Sequence, residues 1–282
     1  MAKYRLLGKL AKGGMAEVIL AEAVGREGFK KKLVIKRILP HLSDDENFVQ
    51  MFLQEARLAA QLTHPNVVQI FDLGQFGEQP FISMEYVDGR NLRQVLSRAA
   101  KLGQRLPIDV VVKIVALACE ALAYAHELEG ESGPLNLIHR DVSPENIMIS
   151  RGGIVKLVDF GIAKASNSSK LTQAGAVRGK ANYLAPEQVL GKALDGRADL
   201  FALCVVLYEA LSGGAKPFRK TNQLDLMRAV AFEPHTPLRE AQPDLPEALV
   251  AIVEKGLAKS PDDRWPNCRS LAGELDRFLV QK

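Results

Sequence analysis

Two stretches set the terms for this chain: Ile138-His139-Arg140-Asp141-Val142-Ser143-Pro144-Glu145-Asn146 and, thirteen residues after Asn146, Asp159-Phe160-Gly161. They place a carboxylate, an amide and a second carboxylate at the ends of two short apolar strands. Magnesium takes oxygen ligands in near-octahedral geometry, and needs only one or two protein groups when phosphates and water complete its shell. Asn146 and Asp159 are the natural pair for such an ion. Asp141, five residues before Asn146, can lie beside the metal without ligating it, free to orient and deprotonate an attacking hydroxyl. The chemistry implied is phosphoryl transfer.

The N-terminal part reads as β-rich. Residues 4–10 and 17–23 form a predicted hairpin around a turn holding Gly13 and Gly14. Such a turn can be no more than a turn, but backbone without side chains can also offer its amides to phosphates. In a third strand, 32–39, alternation puts Val34, Lys36 and Ile38 on one face. Ser43 and Glu46 make a capping-box pattern, which predicts a helix running to about Leu62 with an apolar stripe of Phe48, Phe52, Ala56, Ala59 and Leu62. Glu55 lies in that stripe. A carboxylate on a buried face is costly unless a cation meets it, and Lys36 is the obvious partner. After His64-Pro65-Asn66, segments 67–73 and 80–84 complete five predicted strands.

From Asn91 onward the periodicity turns helical, with helices predicted at 107–126, 196–211, 222–232, 246–258 and 268–280. Segment 127–136, carrying Gly130, Gly133 and Pro134, reads as a surface loop.

Taken together, His139-Arg140-Asp141 with Asn146, Asp159-Phe160-Gly161, and the Lys36/Glu55 pair resemble the eukaryotic-type (Hanks-type) serine/threonine protein kinases, more narrowly their bacterial branch. The resemblance implies an α+β, two-lobed protein-kinase fold. Its small lobe, at about 1–84, would hold five antiparallel strands and one helix; a hinge would follow at 85–89, and a large, mostly helical lobe at about 90–282. Lys36 and Glu55 would form the bridge that holds the α- and β-phosphates of ATP. Leu10, Ala11, Gly13, Gly14 and Ala16 would cover the nucleotide, with Val18 and Val34 above the adenine and Met148 beneath it. Met84 would guard the back, and the backbone of Glu85 and Val87 would bond the ring. Asn146 and Asp159 would hold Mg2+, or Mn2+ in its place.

Gly179-Lys180-Ala181-Asn182-Tyr183-Leu184-Ala185-Pro186-Glu187 resembles the kinase segment that receives a peptide, which favours a protein over a small metabolite as acceptor. The resemblance further implies that Glu187 pairs with Arg264 and that Asp199 holds the catalytic loop by its backbone. Glu145, near that platform, reads either as a contact for basic substrate residues or as a solvated glutamate. In the polar segment 164–174, Thr172 is the expected autophosphorylation site, seven residues before Gly179, with Arg140 as the partner of its phosphate. Ser166, Ser168 and Ser169 are secondary sites or plain linker.

Three departures stand out. The lid pattern wants glycine at 11, 13 and 16, and the chain has Ala11, Gly13 and Ala16. Where these kinases carry a lysine two residues after the catalytic aspartate the chain has Ser143, and where they carry threonine after Gly179 it has Lys180. Those two family positions face each other across Asp141, so Lys180 is expected to supply the missing charge from the opposite side, against the reading in which it points to solvent.

A net charge of +4 with scattered basic residues argues against nucleic acid. Cys119, Cys204 and Cys268 stand far apart, without disulfide or metal spacing. The most apolar run, 110–124, carries Lys113 and Glu120 and is too short to span a bilayer, so a cytoplasmic, membrane-free chain is expected. The functional expectation is ATP- and Mg2+-dependent transfer to serine or threonine hydroxyls of proteins, the chain itself included. A pseudokinase scaffold is the alternative, fed by Ala11, Ala16, Ser143 and Lys180. Substrates and oligomeric state leave no mark in the sequence.

Overall fold

The computed structural model describes residues 4–77, 79–130, 133–160 and 180–281. The chain divides into two compact units, Met1–Asp88 and Gly89–Lys282.

In the first unit the elements run β1 (Tyr4–Lys12), β2 (Ala16–Val24), β3 (Lys30–Ile38), α1 (Pro40–Ser43), α2 (Glu46–Ala59), β4 (Ile70–Phe76) and β5 (Gln79–Glu85). The five strands form one antiparallel sheet in the order β1-β2-β3-β5-β4. Both faces of β3 are covered. On one side Ile19, Ala21, Leu33, Ile35 and Phe81 pack together with Tyr4 and Phe76; on the other Ile38 and Ile82 meet Phe52 and Ala56 of α2. Alternation in β3 therefore separates two apolar faces, and Lys36 shares the α2 face with Val34 and Ile38.

Three boundaries differ from the sequence reading. The cap of α2 is Asp45, whose carboxylate accepts the Phe48 N–H at 3.2 Å, while Ser43 belongs to α1 and donates to the Leu39 carbonyl at 3.4 Å. Both residue types cap helices, and Asp45 is the one adjacent to the first helical residue. The helix stops at Ala59, because Gln61 and Leu62 bond back three residues to Leu58 and Ala59, which tightens the chain while leaving Leu62 buried. Val67 stays in the preceding turn through its bond to the His64 carbonyl, so β4 begins at Ile70.

The second unit contains β6 (Gly89–Asn91), α3 (Leu92–Lys101), α4 (Ile108–His126), β7 (Glu129–Gly130), β8 (Gly133–Pro134), β9 (Ile147–Ser150), β10 (Val155–Leu157), α5 (Pro186–Val189), α6 (Arg197–Leu211), α7 (Gln223–Phe232), α8 (Leu238–Ala241), α9 (Glu247–Gly256) and α10 (Cys268–Val280). This is the larger, mostly helical lobe. Its centre is α6, buried from Ala198 to Leu211, as expected of a helix apolar all round. Helices α4 and α9 pack on it, and α10 lies along α4. Gly256 permits the α9 contact, since a Cβ there would stand 2.1 Å from Cys204 Sγ. The three cysteines are buried, and burial pushes the Cys204 thiol up to about 12, so they act as small apolar side chains.

A small sheet, β10-β9-β6, carries the loop residues of interest. Gly89 starts it, where a Cβ would come within 1.9 Å of the Ile149 carbonyl oxygen. The segment read as a plain loop at 127–136 contains the short pair β7–β8, with Glu129 opposite Pro134. No described helix is long and apolar enough to cross a membrane.

Candidate active site

In the first unit, β3 and α2 bring Lys36 Nζ to 3.7 Å from Glu55 Oε1, with both side chains largely out of water. Leu10 and Ala11 lie on the exposed part of β1. Gly13 and Gly14 form the β1–β2 turn, closed by the Gly13 N–H donating to the Ala16 carbonyl at 2.9 Å. Val18 on β2 is half-buried and Val34 on β3 is buried. Met84 and Glu85 end β5, where the Glu85 N–H donates to the Gln69 carbonyl, and Val87 follows in the irregular stretch before β6.

In the second unit, Pro144–Asn146 form a tight turn that delivers Asn146 to the start of β9, with Met148 on that strand. The Asn146 amide nitrogen donates to the Asp141 backbone carbonyl at 2.8 Å and to Asp141 Oδ2 at 3.2 Å. With its NH2 engaged there, the amide oxygen is the atom Asn146 can offer a cation, which fits the donor set of a hard ion. Val158 N–H bonds the Asn146 carbonyl, tying the segment before Asp159 to the same turn. Asp159 itself is exposed and sits in the left-handed region at φ 56°.

Arg140 is also left-handed, at φ 62°, a conformation that costs a non-glycine residue about 1–3 kcal/mol and persists only where its surroundings over-determine it. Asp199, in the first turn of α6, supplies that determination. Its carboxylate accepts the His139 N–H at 2.7 Å, the Arg140 N–H at 2.8 Å and a contact with His126 Nε2 at 2.8 Å. Burial opposes its ionisation, but the bonds to His126 and the His139 backbone outweigh it and hold the carboxyl below the usual range.

Burial pushes the His139 imidazole down, which keeps it neutral. Its Nδ1 accepts the Asp141 N–H at 3.3 Å, so the proton resides on Nε2, which donates to the Val158 carbonyl at 3.0 Å. The ring packs on Phe160 at 4.5 Å between centroids. His139 thus links the backbone of Asp141 to the turn leading into Asp159.

Lys180 begins the tight turn Lys180–Tyr183, and its ammonium is ion-paired with Asp141 Oδ2. Further along, Glu187 in α5 receives a two-pronged contact from Arg264, at 2.7 and 2.8 Å, and both side chains are buried. Thr172, Gly161, Gly179 and the serines at 166, 168 and 169 lie outside the described residues.

Glu145 keeps 42% of its side chain exposed, and its Oε1 accepts Arg93 Nε at 2.8 Å. Arg93, on α3, also reaches Glu209 of α6 and the Tyr183 hydroxyl. Glu209 is 1% exposed and gathers Lys216 and the Tyr183 hydroxyl as well. This cluster went unread from the sequence. A carboxylate in the otherwise apolar run of α6 was its signal, since such a group demands cations; nothing local pointed to Arg93 as one of them.

Residues 4–273 match the protein kinase domain family. The chain belongs to this family. This kinase domain is 47% identical over 279 residues to the tyrosine-protein kinase MasK of Myxococcus xanthus, a match covering 99% of this chain and 43% of that protein. It is 37% identical over 281 residues to the serine/threonine-protein kinase PknB of Mycolicibacterium smegmatis, covering 98% of this chain and 43% of that protein. The kinase domain thus spans less than half the length of these curated relatives. The crystal structure of the Mycobacterium tuberculosis PknI kinase domain superposes with a TM-score of 0.72 at 31% identity, over 98% of this chain and 96% of that one. The similarity is to bacterial Hanks-type kinases, over a two-lobed kinase fold.

Proposed function

We propose that this kinase domain transfers the γ-phosphoryl group of ATP, with Mg2+, to serine or threonine hydroxyls of proteins, its own segment 161–179 included. Asp141 orients the acceptor hydroxyl and takes its proton. Asn146 and Asp159 would hold the metal, which when bound would supply positive charge beside the phosphate oxygens. Lys36, fixed by Glu55, meets the α- and β-phosphates, while the β1–β2 turn with Gly13 and Gly14 covers them. The apolar side chains Val18, Val34 and Met84 of the first unit pack on the adenine, and the backbone of Glu85 and Val87 reads its edge. Catalysis of this kind is chiefly positioning and charge stabilisation.

The observation that carries the reading is the double hydrogen bond from the Asn146 amide to Asp141. One residue is suited to the metal and the other to the hydroxyl, and the bond holds the two in fixed relation. The Arg264–Glu187 and Asp199–loop contacts support it, because they fix the segments on either side of Asp141. Phosphate on Thr172, paired with Arg140, is proposed as the activating modification.

Incubation with γ-labelled ATP and Mg2+, beside Asp141→Asn and Lys36→Met variants, tests this directly. Label on the parent chain or on an added protein, lost in both variants, is the expected result. Nucleotide binding with no transfer under Mg2+ or Mn2+ would instead identify a pseudokinase scaffold. Tyrosine as acceptor is favoured by one observation, the 47% identity to a relative named as a tyrosine kinase, and phosphoamino-acid analysis of the labelled product separates the two.

A further inference from the structure

The ammonium group on Asp141 comes from outside the catalytic loop. Ser143, two residues beyond Asp141, is 1% exposed, and its Oγ has no hydrogen-bond partner among the described residues. It is short and uncharged, and brings no positive charge to the catalytic loop. Lys180 instead reaches Asp141 Oδ2, the same oxygen that accepts the Asn146 amide.

The turn that carries Lys180 is firmly seated. Ala181 is fully buried, and Tyr183 at its end is bonded to Glu209 at 2.5 Å inside the cluster of Arg93 and Lys216. The Lys180 side chain is 42% exposed, so its head is not enclosed on all sides. An ammonium has three N–H donors, and the Asp141 contact engages one of them.

We infer that Lys180 is a catalytic residue of the phosphoryl transfer, binding Asp141 with one N–H and a non-bridging oxygen of the transferred phosphoryl group with another. The inference rests on the reading of Asp141 as the group that receives the acceptor proton. In the step, the bond between the γ-phosphorus and the oxygen it shares with the β-phosphate breaks, and ADP leaves. A bond forms from the acceptor oxygen to that phosphorus, and the hydroxyl proton passes to Asp141. Lys180 is unchanged by the step; it offsets negative charge on the phosphoryl oxygens and holds the Asp141 carboxylate in place. Because the charge is carried by the turn 180–183 and not by the loop 141–146, turnover depends on where that turn sits.

The test compares the parent chain with Lys180→Ala, Lys180→Met, Lys180→Arg and the exchange variant Ser143→Lys/Lys180→Ala, reading kcat, KM for ATP and melting temperature. Loss of one aligned donor in a site of this type costs about 10²–10³ in rate, so the Ala and Met variants should lose at least about 10² in kcat with KM for ATP held within about twofold. Arginine should recover part of the loss. Returning the charge to position 143 should recover at least about tenfold over Lys180→Ala. Melting temperatures should stay near that of the parent, since the pair is partly solvated. An active parent whose Ala and Met variants turn over within about threefold of it, or faster, overturns this inference and leaves the proposed function standing. A parent that transfers no phosphate under Mg2+ or Mn2+ overturns both.

Discussion

Arg264 grips Glu187 across 77 positions of sequence with two parallel hydrogen bonds, its side chain fully out of water. The same guanidinium bonds the carbonyls of Ala258, Lys259 and Arg197. Every donor direction is thereby used, and α5 is tied to the start of α6 and the end of α9. Removing either charge strands the other in the interior. Arg264→Ala and Glu187→Ala should each destabilise the chain by about 3–5 kcal/mol in urea unfolding. The double variant should cost clearly less than the sum, since the two share one interaction. Simple additivity would show that the pair is not coupled.

Acid should weaken the fold through His139 before it reaches Asp199. The folded imidazole is held below its ordinary value of about 6.5 by burial, whereas the unfolded chain takes up the proton near that value. Between the two, the unfolded state binds more protons, so stability rises with pH across that window and is fully present above about 6.5. Asp199, held low in the fold, contributes stability that is present above about 4 and is lost as pH falls below it. Melting temperature should therefore fall from about pH 7.5 to about 5.5. Ring 15N signals should show His139 titrating below the ordinary histidine value, with its neutral ring protonated on Nε2. A midpoint at or above that value would contradict the account.

The Lys36–Glu55 pair is placed for charge positioning more than for holding the sheet, whose two apolar faces carry that load. Lys36→Met should lower turnover by about 10² or more while far-ultraviolet circular dichroism stays that of the parent. Glu55→Gln, which leaves a polar partner, should be milder. Equal turnover in Lys36→Met and the parent would take Lys36 out of the reaction.

Gly256 and Cys204 form a steric pair across the α9–α6 contact. Gly256→Ala forces a methyl into the thiol and should cost about 1–3 kcal/mol, despite the higher helix propensity of alanine. Adding Cys204→Ala removes Sγ and should restore part of the loss. No recovery in the double variant would place the strain elsewhere.

The fold was readable where one face of an element answers to one partner. Strands 4–10 and 17–23 and the helices at 107–126, 196–211 and 268–280 fall within a few residues of the observed elements, because periodicity and flanking turn residues agree there. The start of α2 was misread since Ser43 and Asp45 are both good caps, and only the three-dimensional path chooses between them. Arg93 was invisible for a different reason: its partners Glu145 and Glu209 lie 52 and 116 positions away, and no local pattern encodes such a meeting. The left-handed backbone at Arg140 was equally silent, because it is held by a bond to Asp199, 59 positions away, and not by glycine.

The most direct test of the account is mass spectrometry of the chain before and after incubation with ATP and Mg2+, set beside Asp141→Asn treated identically. The account predicts phosphate on serine or threonine of the parent, concentrated in residues 161–179 with Thr172 among the sites, and none on the variant. Absence of phosphate from both chains, or the same phosphate on both, would contradict it.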